Sequence, residues 1–265
     1  MIFRRQIGFL TSLFYMVSLK RRQIVKRCRK NELIVPVLFH SPTPEFLDGI
    51  LTRLDKLVGL ENVQVTFDDG RAPIKDCIKV LEKHNKKAVL FISPGEIERS
   101  YNWAEYASNS LTRSEFKELM KLSAKERYKY LEGKDTPKGG LLAIDDIIKL
   151  SNHPLIEFGN HTYSHISCTS RPIDEVLEEI ELAQSKIEEW TGKRPTKFSY
   201  PFGHNSNKLD ELIQKIGLVP YALKSGLLNK DQEGCFRNMA VEDMTMLENI
   251  ARLLTAWPKV KRMPS

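Results

Sequence analysis

The stretch VTFDDG, residues 65–70, runs an apolar segment directly into two adjacent carboxylates and a glycine. This pattern is typical of a short buried β-strand that ends at a polar turn. Because sites in α/β folds are built at the carboxyl ends of strands, Asp68 and Asp69 are candidate site residues. Adjacent side chains there point in different directions, so one carboxylate can hold a cation while the other handles a proton. The alternative is a solvated turn, since Asp-Asp-Gly is also common turn chemistry.

Six further segments are short, often β-branched and bounded by turn residues, so we predict seven strands. The clearest predicted helix covers residues 172–190, where apolar residues recur at helical spacing. Ser170 can cap its start, and Gly192 follows its end. Strands alternating with helices predict an α/β fold with a mostly parallel sheet, and seven such strands favour a barrel over an open sheet. The predicted strands cover residues 34–40, 63–67, 88–92, 155–159, 197–200, 218–223 and 236–241. The predicted helices cover residues 73–84, 172–190, 205–216 and 245–257.

Residues 93–150, called the insertion below, interrupt this alternation. They contain the aromatic-rich SYNWAEY at 100–106 and a long charged helical stretch. A connection of this length is usually functional or a small subdomain. Two interpretations are open: a helical insertion on the surface, or a cap over the substrate. Within it, Trp103 can stack on a sugar ring or pack inside the insertion.

The charge of the chain is concentrated at its ends. The 265 residues are 41% hydrophobic and 28% charged, which excludes a disordered or multi-span membrane protein. The net charge is +7, but twelve of the 41 basic residues lie in 1–30 and the last seven positions. That leaves 29 basic against 34 acidic residues in 31–258, a net charge of −5, which argues against a nucleic-acid-binding core. We therefore predict a basic segment, 1–30, followed by one catalytic domain, 31–258.

The basic segment also carries an apolar run, residues 7–19, between clusters of arginine and lysine. Thirteen residues are too few to span a bilayer, and no small-residue cleavage site follows. Either the run forms a helix packed on the domain, or it forms an interfacial helix on an anionic leaflet. The four cysteines form no CxxC pair and are typical of reduced thiols. Together these features predict a cytoplasmic protein with peripheral contact to the inner membrane.

A second polar cluster, NHTYSH at 160–165, follows the predicted strand 155–159. His161 and His165 are four residues apart, so on a helical turn both imidazoles would face one side. With a carboxylate from the end of another strand they would form a set of two histidines and one aspartate. Three protein ligands with open positions are typical of catalytic metal sites.

TFDDG at 66–70, HTYSH at 161–165 and FSYPFG at 198–203 together resemble the polysaccharide deacetylase family, the NodB-like carbohydrate esterases. The resemblance spans roughly residues 33–245. It implies a deformed (β/α) barrel and metal-dependent removal of N-acetyl groups from a sugar or polysaccharide. The substrate implied is an N-acetylated glycan. The basic N-terminal segment adds a lipid-linked sugar as a candidate, and the acidic charge of 31–258 predicts no nucleic acid as partner.

The resemblance also assigns roles by position. Asp69, His161 and His165 would be the metal ligands, with Zn²⁺ the favoured ion for such a set. Asp68 would be the general base that takes a proton from water. The backbone N–H of Phe202 would stabilise the tetrahedral oxyanion. Substrate contacts are expected from Tyr200, Pro201 and Trp103.

Two departures from the family pattern concern the other catalytic groups. Many members have an arginine where this chain has Ser199, and Arg237 in the predicted strand 236–241 is a possible substitute for steadying Asp68. Many members also place the general acid on a C-terminal histidine, but no histidine follows His204 here. We expect His40, at the end of the first strand, to be the acid, with His204 as the second choice.

These departures keep two other functions open. The barrel could have kept its metal and serve as a carbohydrate-binding or regulatory module, although such a module would need the ligands and not the base, Asp68. It could instead hydrolyse a different C–N bond on the same scaffold. Release of acetate from N-acetylated sugars distinguishes the three.

Overall fold

The computed structural model describes residues 19–132, 140–224, 226–230, 234 and 236–255. All seven predicted strands are present, and an eighth, at Leu228–Asn229, was not predicted. The strands are β1 (Leu33–Phe39), β2 (Val63–Phe67), β3 (Ala88–Ile92), β4 (Ile156–Asn160), β5 (Lys197–Ser199), β6 (Val219–Tyr221), β7 (Leu228–Asn229) and β8 (Asn238–Met239). β7 comprises two residues and lies outside every predicted strand.

The sheet is a curled half-barrel, which confirms the predicted α/β barrel fold. Its order is β6-β5-β4-β3-β2-β1, and β8 pairs with the carboxyl-terminal part of β1 while β7 pairs with its beginning. All of these strands except β7 run parallel, so their carboxyl ends meet at one end of the barrel. Among the described residues no ladder joins β6 to β8, and the barrel is open there.

Eleven α-helices are present among the described residues, and several of them bury their apolar faces in the main core beside the sheet. The four predicted helices are found at α3 (Ile74–Lys83), α9 (Ile173–Thr191), α10 (Asn207–Lys215) and α11 (Met246–Thr255). The predicted cap of α9 was wrong. Pro172 is the residue before the helix and offers no side-chain hydrogen bond, and the Ser170 hydroxyl forms a hydrogen bond with the Ser167 hydroxyl instead. The helices are α1 (Leu19–Arg29), α2 (Pro44–Val58), α3 (Ile74–Lys83), α4 (Pro94–Arg99), α5 (Trp103–Ser110), α6 (Arg113–Lys121), α7 (Ala124–Leu131), α8 (Ile144–Ser151), α9 (Ile173–Thr191), α10 (Asn207–Lys215) and α11 (Met246–Thr255).

The described part of the insertion is helical and comprises α4 to α8. Capping boxes start two of its helices: Thr112 with Glu115 begins α6, and Ser123 with Glu126 begins α7. These reciprocal hydrogen bonds allow short helices to start at defined residues. Tyr101, Trp103, Tyr106, Leu119 and Leu131 give the insertion a small hydrophobic core of its own.

Of the basic segment, only residues from 19 onward are described, so most of the apolar run 7–19 lies outside the described residues. Helix α1 packs against the barrel, burying Ile24 and Cys28 in the main core. Its basic residues Arg22 and Lys26 are exposed, as is Lys30 directly after it. Over the described part of the chain, none of the helices combines the length and the apolar character that crossing a membrane requires.

Candidate active site

The two carboxylates after β2 point in different directions, as predicted. Asp68 continues the ladder, since its N–H donates to the Phe39 carbonyl at 3.0 Å. Asp69 adopts a left-handed conformation with φ of 72°, and Gly70 follows with φ of 63°. Aspartate tolerates this region better than most residues, so the chain can reverse direction here. As a result Asp68 is buried towards the barrel interior, and Asp69 meets the loop after β4.

Asp69, His161 and His165, called the ligand cluster below, lie together at the carboxyl ends of β2 and β4. Asp69 Oδ1 is 3.4 Å from His161 Nε2 and 3.2 Å from His165 Nε2, and one ligand atom of each residue lies within 4.8 Å of the others. His161 Nδ1 is 2.8 Å from the Ser199 carbonyl, to which it can only donate. In the neutral ring this leaves the lone pair on Nε2, the nitrogen that faces Asp69. This donor set suits a divalent metal ion.

The histidines converge by a route that differs from the predicted one. Residues 161–166, called the site loop below, are not helical, so the prediction of a helical turn was wrong. Thr162 and His165 are left-handed, with φ of 60° and 53°, and these two positions fold the loop back. The imidazole centroids come to 4.9 Å. The Thr162 N–H donates to Asn160 Oδ1 at 2.9 Å, which fixes the start of the loop.

The charges of the cluster are those that metal binding needs. Burial alone would raise the pKa of Asp69, but the contacts with His161 and His165 outweigh it and hold that pKa well below its usual range. Burial lowers the pKa of His165, partly offset by Asp69. At neutral pH the cluster therefore offers a carboxylate and a neutral imidazole from His165.

Asp68 is clamped by Arg237, which stands just before β8. Arg237 Nη1 donates to Asp68 Oδ1 at 2.6 Å and Nη2 to Oδ2 at 2.9 Å. Burial would raise the pKa of Asp68, but Arg237, with His161 contributing, outweighs it and lowers that pKa. Ser199 joins the pair, accepting from Arg237 Nη2 at 2.6 Å and lying 3.1 Å from Asp68 Oδ2. Arg237 thus occupies the place beside Asp68 that the sequence suggested for it.

The FSYPFG segment forms a tight turn beside the cluster. Phe202 is left-handed, with φ of 60°, inside the short 3₁₀ turn Pro201–Gly203. Its ring packs edge-on against His165, with centroids 4.8 Å apart. Tyr200 is buried and borders the cleft, and Pro201 is buried. This turn therefore supports His165 directly.

A cleft of about 470 Å³ opens at this end of the barrel, bordered by Asp68, the ligand cluster, Phe202 and Arg237. His40 follows β1 and borders the same cleft, half-buried. His204 lies beyond the turn, with Nδ1 2.9 Å from the Ser167 hydroxyl. Of the two candidate acids, only His40 borders the cleft.

The insertion forms one wall of this cleft. Asn102, Glu105 and Ser108 line it from α5 and the residue before it, and Phe116 lines it from α6. Trp103, expected as a sugar platform, is fully buried. It packs within the insertion's hydrophobic core, the alternative that the sequence left open, and has no exposed face for a sugar.

A second, larger cavity of about 640 Å³ lies at the opposite end of the barrel, where β2, β3 and β4 begin. Its rim is basic, with Lys86, Lys193 and Lys197 among the lining residues. None of the lining residues belongs to the ligand cluster, so this cavity is separate from the candidate active site.

Sequence reasoning missed the residues that support the site loop. Glu179 on α9 accepts hydrogen bonds from the Ser164 N–H, at 2.7 Å, and from its hydroxyl. Arg127 on α7 is fully buried and donates to the Ser164 carbonyl at 2.6 Å. Both are charged residues on helices with ordinary amphipathic patterns, and nothing in the local sequence marks them as buried.

Comparisons with known proteins agree with this geometry. The profile of a family described as polysaccharide deacetylase matches residues 58–221. A comparison with curated protein sequences finds no match.

Solved structures with the same fold include a polysaccharide deacetylase from Bacillus cereus, at 17% identity and a TM-score of 0.58, covering 84% of this chain and 69% of that one. IcaB from Ammonifex degensii has 17% identity and a TM-score of 0.58 over 84% of this chain and 97% of its own. The Streptococcus pyogenes deacetylase PplD, solved in complex with acetate, has 13% identity and a TM-score of 0.58 over 84% and 98%. At such identities the likeness shows a shared fold.

Proposed function

The chain belongs to the polysaccharide deacetylase family, metal-dependent hydrolases that remove N-acetyl groups from glycans, and on this premise we propose how its residues share that reaction. The observation that carries the proposal is the ligand cluster beside a separate, buried carboxylate, Asp68, in one cleft. A binding module would need the cluster alone. The clamped second carboxylate supports a hydrolase.

The ligand cluster would hold the metal ion. Its two imidazole nitrogens and one carboxylate leave positions for water and substrate, and Zn²⁺ is the ion we propose. When bound, such an ion supplies Lewis acidity to the acetamide carbonyl and lowers the pKa of a bound water. The hydrogen bond from His161 Nδ1 to the Ser199 carbonyl keeps that ring in the tautomer that a metal requires.

Asp68 would act as the general base. Its lowered pKa keeps it ionised at neutral pH, so it can accept a proton from the attacking water. Arg237 and Ser199 hold both carboxylate oxygens and so fix its orientation. Arg237 is in this sense a positioning residue, and it fills the role for which many family members use an arginine at position 199.

The remaining steps need a donor for the oxyanion and an acid for the amine. We propose the backbone N–H of Phe202 for the oxyanion, with Tyr200 and Pro201 shaping the adjoining surface. His40 would protonate the leaving amine, because it borders the cleft at the end of β1. His204 remains the second choice.

The substrate would be an N-acetylated glycan, as in the family. The cleft volume lies within the range of ordinary ligand sites, and the wall from α5 offers polar groups that can bind hydroxyls. A polymer and a lipid-linked sugar share this chemistry. The two are separated by the assay below.

The test is release of acetate by the Zn²⁺-loaded protein from N-acetylglucosamine oligomers and from lipid-linked and nucleotide-linked N-acetyl sugars. We expect release from at least one of these and a loss of about 100-fold or more in Asp68→Asn, which keeps the ligand cluster. Oligomer binding without release would favour the binding module. Absence of release from every N-acetyl sugar, with metal bound, would contradict the proposal.

We also propose that residues 31–258 form the catalytic domain and that the basic segment holds it against an anionic membrane on the cytoplasmic side. Helix α1 buries Ile24 and Cys28 in the core, so its exposed basic residues would provide the contact from this helix. The thiols of Cys28 and Cys77 are buried and free, and burial raises their pKa to about 11 and about 12, which suits a reducing compartment.

Co-sedimentation with phosphatidylglycerol vesicles tests this membrane contact. The pair Arg22→Glu and Lys26→Glu should lose binding. A matched pair at the far cavity, Lys87→Glu and Lys193→Glu, changes the net charge equally and should retain it. Equal binding by the two double variants would contradict membrane contact through α1.

A further inference from the structure

The insertion holds the site loop through the loop's own carbonyl groups. The Ser93 hydroxyl donates to the His161 carbonyl at 2.8 Å, and the Gly95 N–H donates to the Tyr163 carbonyl at 2.8 Å. The indole Nε1 of Trp103 lies 3.2 Å from both the Ser164 and the His165 carbonyls. Four carbonyls of the loop that carries two metal ligands are therefore bound by residues 93–132.

Trp103 and Arg127 make up the part of this support nearest to His165. The Arg127 guanidinium lies over the Trp103 ring, 4.2 Å from its centroid, and both side chains are fully buried. Arg127 Nη2 donates to the same Ser164 carbonyl, while its Nε and Nη1 make no hydrogen bond within the described residues. Within the described residues, the guanidinium of Arg127 thus donates its hydrogen bond to the site loop.

A buried guanidinium is a costly way to fill space. Desolvation is unfavourable, and an apolar side chain of similar shape would pack as well or better. The site loop, however, contains a β-branched residue, Thr162, in the left-handed region, a conformation that persists only where surrounding contacts determine it. Donors aimed at the loop carbonyls supply such contacts.

We propose that Trp103 and Arg127 are positioning residues for the metal ion: they fix the backbone at Ser164 and His165 so that His165 Nε2 faces Asp69. The inference rests on the metal site of the proposed function. It gives the insertion a second role, as a brace of the ligand cluster in addition to a wall of the cleft. The affinity for metal should then depend on side chains that touch neither metal nor substrate.

Trp103→Phe tests this, because it keeps an aromatic ring under Arg127 and removes the indole donor. Its matched control is Trp190→Phe, the same change in a buried tryptophan on α9 that packs in the main core. Zn²⁺ affinity is measured by competition with a chelator, and ligand geometry by the absorption spectrum of the Co²⁺-loaded protein. We expect Zn²⁺ affinity to fall about 10-fold or more in Trp103→Phe, with an altered Co²⁺ spectrum, and neither change in the control.

Arg127→Met provides a second variant that keeps a long side chain over the indole. We expect weaker Zn²⁺ binding, with the unfolding temperature of the metal-free protein unchanged or raised because the buried charge is gone. Zn²⁺ affinities of Trp103→Phe and Arg127→Met within twofold of the Trp190→Phe control would overturn the inference. So would equal losses of affinity and of unfolding temperature in all three variants. Failure of the wild type itself to bind metal would overturn the proposed function as well, whereas equal affinities overturn this inference alone.

Discussion

Two halves of the site are held in different ways. Asp68 and Asp69 follow a strand in the middle of the sheet, and Asp68 is clamped by the side chain of Arg237. His161 and His165 stand on an irregular loop, whose carbonyls are bound by the insertion and whose Ser164 N–H is bound by Glu179. The half that carries Asp68 and Asp69, called the strand half below, depends on the barrel. The half that carries His161 and His165, called the loop half below, depends on helices outside the barrel.

The two halves therefore differ in which part of the molecule can change them. A barrel strand fixes the base and one ligand with contacts that the fold itself provides. The loop half brings the other two ligands under the control of the insertion, which also lines the cleft. Changes in the insertion can therefore alter substrate contacts and metal binding together.

The largest effect is expected where both halves meet, at the metal. In His161→Ala the loop half loses a ligand, and we expect the protein to lose its metal ion and acetate release to fall to background. Elemental analysis per chain measures the first and the acetate assay the second. His153→Ala is the matched control, because His153 contacts Glu82 far from the cluster and should keep both metal and activity. A full complement of metal in His161→Ala would show that the cluster is not the binding site.

The strand half is tested most directly by Arg237→Met. This change leaves the Asp68 carboxylate buried without its ion pair, and we expect the free energy of unfolding to fall by about 3–5 kcal/mol. Adding Asp68→Asn removes the unpaired charge and should restore part of that loss. Denaturant titration of the two single variants and the double variant measures the coupling. Additive losses would mean that the ion pair does not act as a unit.

The strand half could be predicted from sequence to a large extent. An apolar run that ends in Asp-Asp-Gly encodes both the strand and the turn, and the divergence of Asp68 and Asp69 follows from a local backbone preference. Arg237 could be proposed because a missing arginine at position 199 required a substitute. Features of this kind can be predicted because they depend on a few neighbouring residues or on a departure from a known family motif.

The loop half could be predicted only in its ligands. Their spacing suggested a helical turn, but Thr162 and His165 take left-handed conformations that contacts from distant segments determine. Trp103 and Arg127 lie 62 and 37 positions from the loop residues that they bind. No local pattern reports a pairing at such separations, which explains why the sequence left open whether Trp103 stacks on a sugar or packs inside the insertion.

A smaller effect is expected at His40, which borders the cleft from the strand half. If it is the general acid, His40→Ala should lower kcat by about 100-fold, the lower end of the range for acid catalysis, while the metal content stays unchanged. His204→Ala serves as the comparison, since His204 contacts Ser167 and not the ligand cluster. Steady-state kinetics of acetate release on both variants decides between the two histidines. Near-normal turnover in His40→Ala would remove it from the mechanism.

The smallest effect concerns the support beneath the loop half, where Glu96 is buried in the insertion. Burial raises its pKa from 4.5 to about 8, against the opposing influence of Arg127 and of hydrogen bonds from Tyr128 and Trp103. Between about pH 5 and pH 8 the unfolded chain therefore binds fewer protons at this residue than the folded one, so stability should fall as pH rises, by up to about 1.4 kcal/mol per pH unit. Glu96→Gln cannot ionise. The variant loses one hydrogen-bond acceptor, which lowers its free energy of unfolding by about 1 kcal/mol. It should therefore be less stable than the wild type at pH 5, and this difference should shrink or reverse towards pH 8. Denaturant titrations at four pH values measure this, and parallel stability profiles would show that Glu96 is already ionised in the folded protein.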